Sequence, residues 1–214
     1  MFRNLQFVIT SAALLAACGD DGGQNVTIVD GGGSGGDAAN VACKASSSYG
    51  SPTPSMQEAH SAMDSMGNQN LWVFLDLNAD ASPDIMLVDL YAGYGAFQGG
   101  LPAAGATVQL TGDEVSPATC GACVSIQVDY TEQGPADDIY LADGGMLTLT
   151  AATTTSLAGS LSNVTFKHMN VDSEGIATPH PDNCTATLAS IAFSATPMPS
   201  AAAARSRFQK RDRR

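Results

Sequence analysis

The chain has 214 residues, 44% hydrophobic and 14% charged, with 21 acidic residues against 9 basic ones and a net charge of −12. That is enough apolar material for one domain-sized core, and the acidic balance argues against nucleic acid as a partner of the folded body, whose field repels phosphates. The asymmetry exceeds the total: residues 18–204 carry two basic residues, Lys44 and Lys167, against twenty acidic ones, a balance of −18, while Arg205, Arg207, Lys210, Arg211, Arg213 and Arg214 crowd the end.

The chain starts "MFRNLQFVITSAALLAACGDDGG", one Arg followed by an apolar run from Leu5 to Ala17. Such a run is a secretory signal, too short to remain as a membrane-spanning helix, so residues 1–17 are expected to be a signal peptide. Leu15, Ala16, Ala17 and Cys18 resemble a bacterial lipobox, the motif cleaved just before a cysteine that receives a diacylglyceryl group. The resemblance implies lipid attachment at Cys18 and a protein whose membrane partner is reached through acyl chains, each buried methylene contributing about 0.8 kcal/mol. Gly19 after the cysteine, by analogy with enteric sorting, points to the outer membrane rather than the inner one.

Residues 18–40 are rich in Gly, Asp and Ser and read as a flexible linker. Residues 41–196 are expected to form the folded domain, followed over 197–214 by a Pro/Ala spacer and a basic tail. The tail reads as a solvated end, with contact to anionic headgroups or to the acidic body as the alternatives.

Within the domain, "SMQEAHSAMDSM" places Met56, Ala59, Ala62, Met63 and Met66 at helical spacing, which predicts a short amphipathic helix. Strand-like segments follow: "LWVFLDL", "DIMLVDLY", "ATVQL", "VSIQVDY", "DIYLA", "GMLTLTA", "SLAGSLSNVTFKHM" and "CTATLASIAFSA". Turn residues separate nearly all of them, so the expected fold is all-β, an antiparallel sandwich or barrel of about eight strands. Asp143-Gly144-Gly145 is expected to form a tight hairpin turn between two strands, and "LAGSLSNVTF" to pair with the Thr-rich run before it.

Besides Cys18 there are four cysteines, Cys43, Cys120, Cys123 and Cys184. In an exported chain four cysteines read as two disulfides with three possible pairings; spacing favours Cys120 with Cys123 and Cys43 with Cys184. "CGAC" also has the spacing of a thioredoxin-like redox pair, but the residues after it alternate with period two, as in a half-buried strand rather than the helix that would activate a thiol.

The combination "LLAACGDD", "TCGACVSI", "IYLADGGMLTLT" and "AGSLSNVTF" resembles a group of uncharacterised β-rich lipoproteins of Gram-negative soil bacteria, over about residues 70–195. The resemblance implies a surface or periplasmic β-rich lipoprotein and supplies no catalytic residues.

Two stretches offer binding chemistry. In "LDLNADASPDIML", Asp76, Asn78, Asp80 and Asp84 occupy the first, third, fifth and ninth places of an oxygen-rich loop, making calcium the candidate cofactor. Ala81 and Leu87 exclude an EF-hand; the loop is closer to the Asp-rich turns of calcium-binding propeller repeats, and an Asx-rich hairpin turn accounts for the same letters. In "YAGYGAFQGG", Tyr91, Tyr94 and Phe97 among glycines are candidates for stacking on an envelope glycan or protein partner, or for capping the core. No nucleophile elbow, phosphate loop or His/Glu metal helix is present, and His60, His168 and His180 show no ligand spacing. The sequence thus points to a lipid-anchored envelope protein with a non-enzymatic binding or structural domain. An exported hydrolase using Asp and His residues, or a calcium-stabilised adhesion module, are the alternatives.

Overall fold

The computed structural model describes residues 43–131, 138–172 and 175–200. The expected signal peptide, Cys18, the linker and the basic tail lie outside the described residues. Ten strands form one sheet: β1 Gln57–Met63, β2 Gln69–Asp76, β3 Ile85–Tyr91, β4 Thr107–Gln109, β5 Ala122–Val128, β6 Asp138–Thr153, β7 Ser156–Val171, β8 Ala177–Pro179, β9 Thr185–Ala195 and β10 Met198–Pro199. The expected all-β fold is what forms.

Neighbours run β10-β1-β2-β3-β5-β6-β7-β8, with β4 on β6 and β9 on β7. Every pairing is antiparallel except β1 with β10. Because β10 follows β9 and pairs with β1, the sheet curls until its two ends share one core. Leu71 and Val73 of β2, Val88 of β3 and Ile126 of β5 lie in the same buried cluster as Leu149 of β6, Phe166 of β7 and Phe193 of β9. The sheet includes Met198–Pro199, which reaches into the segment expected to be spacer.

Three strands change phase at one level, and that makes the corner. On β6 the core side is Tyr140 and Ala142, then Leu147 and Leu149; on β7, Leu157 and Leu161, then Val164 and Phe166; on β9, Ala186 and Leu188, then Ile191 and Phe193. Strict alternation cannot join an even series to an odd one, so an extra residue bulges out and the strand bends. The register shifts between Ala142 and Met146 mark this on β6. Asp143-Gly144-Gly145 is therefore a bulge within a sixteen-residue strand, not the expected hairpin turn. Gly145 sits there at φ +115°, where a Cβ would lie 2.7 Å from Val164 Cα. The hairpin closes instead between Thr153 and Ser156, so the Thr-rich run does pair with "LAGSLSNVTF".

The expected helix at Ser55–Met66 is β1. Helical spacing of Met56, Met63 and Met66 proves incidental, since all three are exposed, while Ala59 and Ser61 alternate into the interior. Seven backbone pairings to β2 outweigh a weak local preference. β5 differs too: all seven residues are buried, as are all seven of β3. The second face of these strands includes the buried Asp89, Cys123, Ser125 and Gln127, so polar letters there do not mark a solvent face.

Candidate functional site

The structure joins Cys43 to Cys184, 141 residues apart, with Cα atoms 5.6 Å from each other, and Cys120 to Cys123. The second pair lies at the start of β5, so a strand follows it and not a helix, and it packs with Tyr91 and Tyr94. The first ends in the loop between β8 and β9, where a cluster of His and Asp side chains assembles.

β7 presents His168 at the meeting point of two pairings. Its N–H donates to the Cys184 carbonyl at 2.9 Å, and its carbonyl accepts the His180 N–H at 3.0 Å. The connecting turn holds Asn183 at φ 53°, with its N–H on the His180 carbonyl, and carries Asp182 back over β7. His168 Nδ1 then lies 2.7 Å from Asp182 Oδ2, and His180 Nδ1 lies 3.0 Å from the same oxygen. Asp182 Oδ1 accepts the Cys184 N–H at 3.0 Å. On the far side of the ring, His168 Nε2 lies 3.2 Å from Asp138 Oδ1 at the start of β6, and Asp138 Oδ2 lies 2.5 Å from Lys44 Nζ. The His168 ring is itself sandwiched: Tyr140 stacks on one side with centroids 4.7 Å apart and His180 stacks at 4.0 Å.

Burial alone would push the Asp182 carboxyl up, but hydrogen bonds from the Cys184 N–H and from both imidazoles outweigh it and hold the group down to about 2. Asp182 is thus a firm anion in a buried place. A carboxylate accepts only, so each facing ring nitrogen has to bring a proton or a cation. His168 faces carboxylates with both nitrogens. His180 Nδ1 faces Asp182 Oδ2 as a donor would and the Asp182 N–H, at 3.4 Å, as an acceptor would. One nitrogen cannot do both.

His168, His180 and Asp182 can hold a metal ion: their ligand atoms lie within 4.8 Å of one another, the one such group of three His, Cys, Asp or Glu among the described residues. His168 and Asp182 have side chains 5% and 8% exposed, while His180, at 31%, opens to solvent. Sequence spacing gave no sign of this group, because the histidines are twelve residues apart and meet only when the β8–β9 loop folds back; the short run "HPDNC" was the available signal.

The expected calcium loop does not gather its oxygens. Asp76 follows Trp72 and Phe74 on one face of β2, accepting from Ser55 Oγ and from the Met56 N–H at 2.8 Å. Asp84 instead accepts the Tyr49 hydroxyl at 2.7 Å, Asn78 Nδ2 at 3.2 Å and the Asp129 N–H at 3.1 Å. Burial and the Asp84 carboxylate together push the Tyr49 phenol far above its usual range. Asn78 Oδ1 accepts the Asp84 N–H at 2.9 Å, closing the turn on itself, and Asp80 is exposed. The loop is an Asx-braced β2–β3 connection.

The aromatic loop is also turned inward. Phe97 is 2% exposed within the main core, and Tyr91, 7% exposed, packs with the Cys120–Cys123 disulfide. Neither presents a ring for stacking. His60 stacks on Trp72 at 5.4 Å and sits 2.9 Å from Glu58. A pocket beside the Cys120–Cys123 pair, lined by Glu114, Pro117, Ser125 and Leu141 among others, includes no histidine. Among the described residues no helix is long and apolar enough to cross a membrane.

No protein-family model, curated protein or solved structure matches the chain.

Proposed function

We propose that the chain is an exported, lipid-anchored cell-envelope protein whose β-domain acts as a non-enzymatic binding or structural module, at the outer membrane. The observation that carries this reading is the pair of disulfides, one of them bridging 141 residues. Disulfides of this kind persist in oxidising compartments and are rare where glutathione keeps thiols reduced. The anchor rests on the resemblance of Leu15-Ala16-Ala17-Cys18 to a lipobox, and the four segments that resemble β-rich lipoproteins of Gram-negative soil bacteria agree with it. Labelling of cells with a palmitate analogue tests it: the wild-type chain takes up label and floats with outer-membrane fractions, whereas Cys18→Ser does neither. Equal labelling of the two chains, or their recovery from the cytoplasm, overturns the reading.

A hydrolase has less support. Both ring nitrogens of His168 face carboxylates, so the buried histidine offers no free base to a nucleophile. His180, the accessible one, meets Asp182 through Nδ1 as a general base would, but no Ser, Thr or Cys side chain hydrogen-bonds to it among the described residues.

A further inference from the structure

We propose that His168 Nδ1, His180 Nδ1 and Asp182 Oδ2 form a site for a divalent transition metal of the zinc class, with water completing the coordination. This goes beyond the envelope reading and does not depend on it. Two imidazole nitrogens and one carboxylate oxygen are the donor set of borderline cations such as Zn2+ or Cu2+ and a poor match for calcium, which takes six to eight oxygens.

Donor accounting supports the assignment. Asp138 Oδ1 faces His168 Nε2 at 3.2 Å; with the proton on Nε2, the lone pair of Nδ1 points at the Asp182 carboxylate 2.7 Å away, acceptor against acceptor. An extra proton removes that conflict, and so does a cation held by both groups. A carboxylate bonded to the outer nitrogen of a histidine is the usual device for orienting a metal-bound imidazole. Asp138 is in turn held by Lys44, and Tyr140 stacks on the His168 ring.

The geometry needs one carboxylate and one ring to move. Ligands about 2.05 Å from a tetrahedral zinc lie about 3.3 Å from each other. The two nitrogens now stand 2.7 and 3.0 Å from Asp182 Oδ2, so the carboxylate has to withdraw by a few tenths of an ångström. His180 stacks on His168 with planes 24° apart, so its partly exposed ring has to swing out of the stack before both in-plane lone pairs meet one ion, and that swing gives the ion its entry. The backbone pairings of His168 with Cys184 and His180, and the Cys43–Cys184 bridge beside Asp182, preorganise the rest.

The test is calorimetric titration of the full chain, produced without a histidine tag and freed of metal by chelation, with ZnCl2 and separately with CaCl2. Expected are one equivalent of zinc bound with a Kd below about 1 µM, a raised melting temperature and no calcium heat. His180→Ala is expected to weaken zinc binding about tenfold or more, with circular dichroism of the metal-free variant confirming that it is folded. For a readout independent of that variant, the Co2+ form of the wild-type chain should show the visible spectrum of nitrogen and oxygen ligation without a thiolate band. Absence of zinc binding by the folded wild-type chain, undiminished binding by His180→Ala, or a thiolate band each overturns the proposal.

Discussion

The N–H of Gly121 donates to Glu114 Oε2 at 2.9 Å in the interior of the protein. The same oxygen accepts Ala122 N–H at 2.5 Å, and Oε1 accepts Ala96 N–H at 2.6 Å, so one carboxylate, 6% exposed, ties the loop after β3 to the start of β5. Gln at this position would turn an amino group toward backbone donors. Glu114→Gln is therefore expected to lower unfolding free energy by about 2 kcal/mol or more, through lost charge-assisted bonds and stranded N–H groups. Urea denaturation gives the loss, and amide exchange should show Ala96, Gly121 and Ala122 unprotected first.

Asp89 gives a pH dependence of known sign. Burial pushes its carboxyl up from 3.8 to about 8, and Oδ2 has no hydrogen-bond partner among the described residues. Between those values the folded chain keeps a proton that the unfolded chain has lost, so the native state binds more protons and stability falls as pH rises from about 4 to about 8. Asp89→Asn keeps the shape and removes the titration. The variant should be more stable than wild type by about 2–4 kcal/mol near pH 7, with the difference vanishing near pH 4. Equal pH profiles for the two proteins would contradict a buried, neutral Asp89.

The two disulfides should differ in weight. By the chain-entropy relation, a bridge closing 141 residues contributes about 5 kcal/mol and one closing three residues about 2 kcal/mol. Cys43→Ser with Cys184→Ser is thus expected to destabilise the domain more than Cys120→Ser with Cys123→Ser, as read from denaturation midpoints under non-reducing conditions.

Gly145→Ala tests the corner. At φ +115° a side chain is strained whatever the space, and here Val164 Cα stands 2.7 Å from the added carbon. An expected loss of about 2–4 kcal/mol follows from strain and overpacking together. Thermal unfolding measures it, and an unaffected melting temperature would mean that the β6 bulge is not held where it lies.

The all-β class was legible because apolar residues alternate with Ser and Thr over β7 and β9, a short continuous apolar run fills β2, and Gly, Asp and Pro punctuate them. β7 and β9 each read as one strand despite their change of phase, since no glycine pair interrupts them. β6 carries the same device but has Gly144-Gly145 at the bend, and the letters of a bulge and of a hairpin turn are the same. β1 misled because three methionines at helical spacing are an apolar pattern with no packing partner; periodicity identifies a face and does not say that anything covers it. The candidate site was the least legible. His168 belongs to β7, Asp138 to β6, and His180 and Asp182 to a loop, so only the register of three strands brings them together. The Asp-rich β2–β3 loop, dense in oxygen ligands along the chain, uses those oxygens to brace itself.

The bridge from Cys43 to Cys184 also fixes how the domain would bear a pull. Tension along the chain ahead of Cys43 crosses the sulfur bond to Cys184 and runs on through β9, bypassing residues 44–183. A closed covalent loop outside the load path cannot be unravelled from that direction while the bond is intact. Of the described strands only β9 and β10 then lie on the covalent path between the two chain ends, and reduction of a single bond would place β1 to β8 on that path as well.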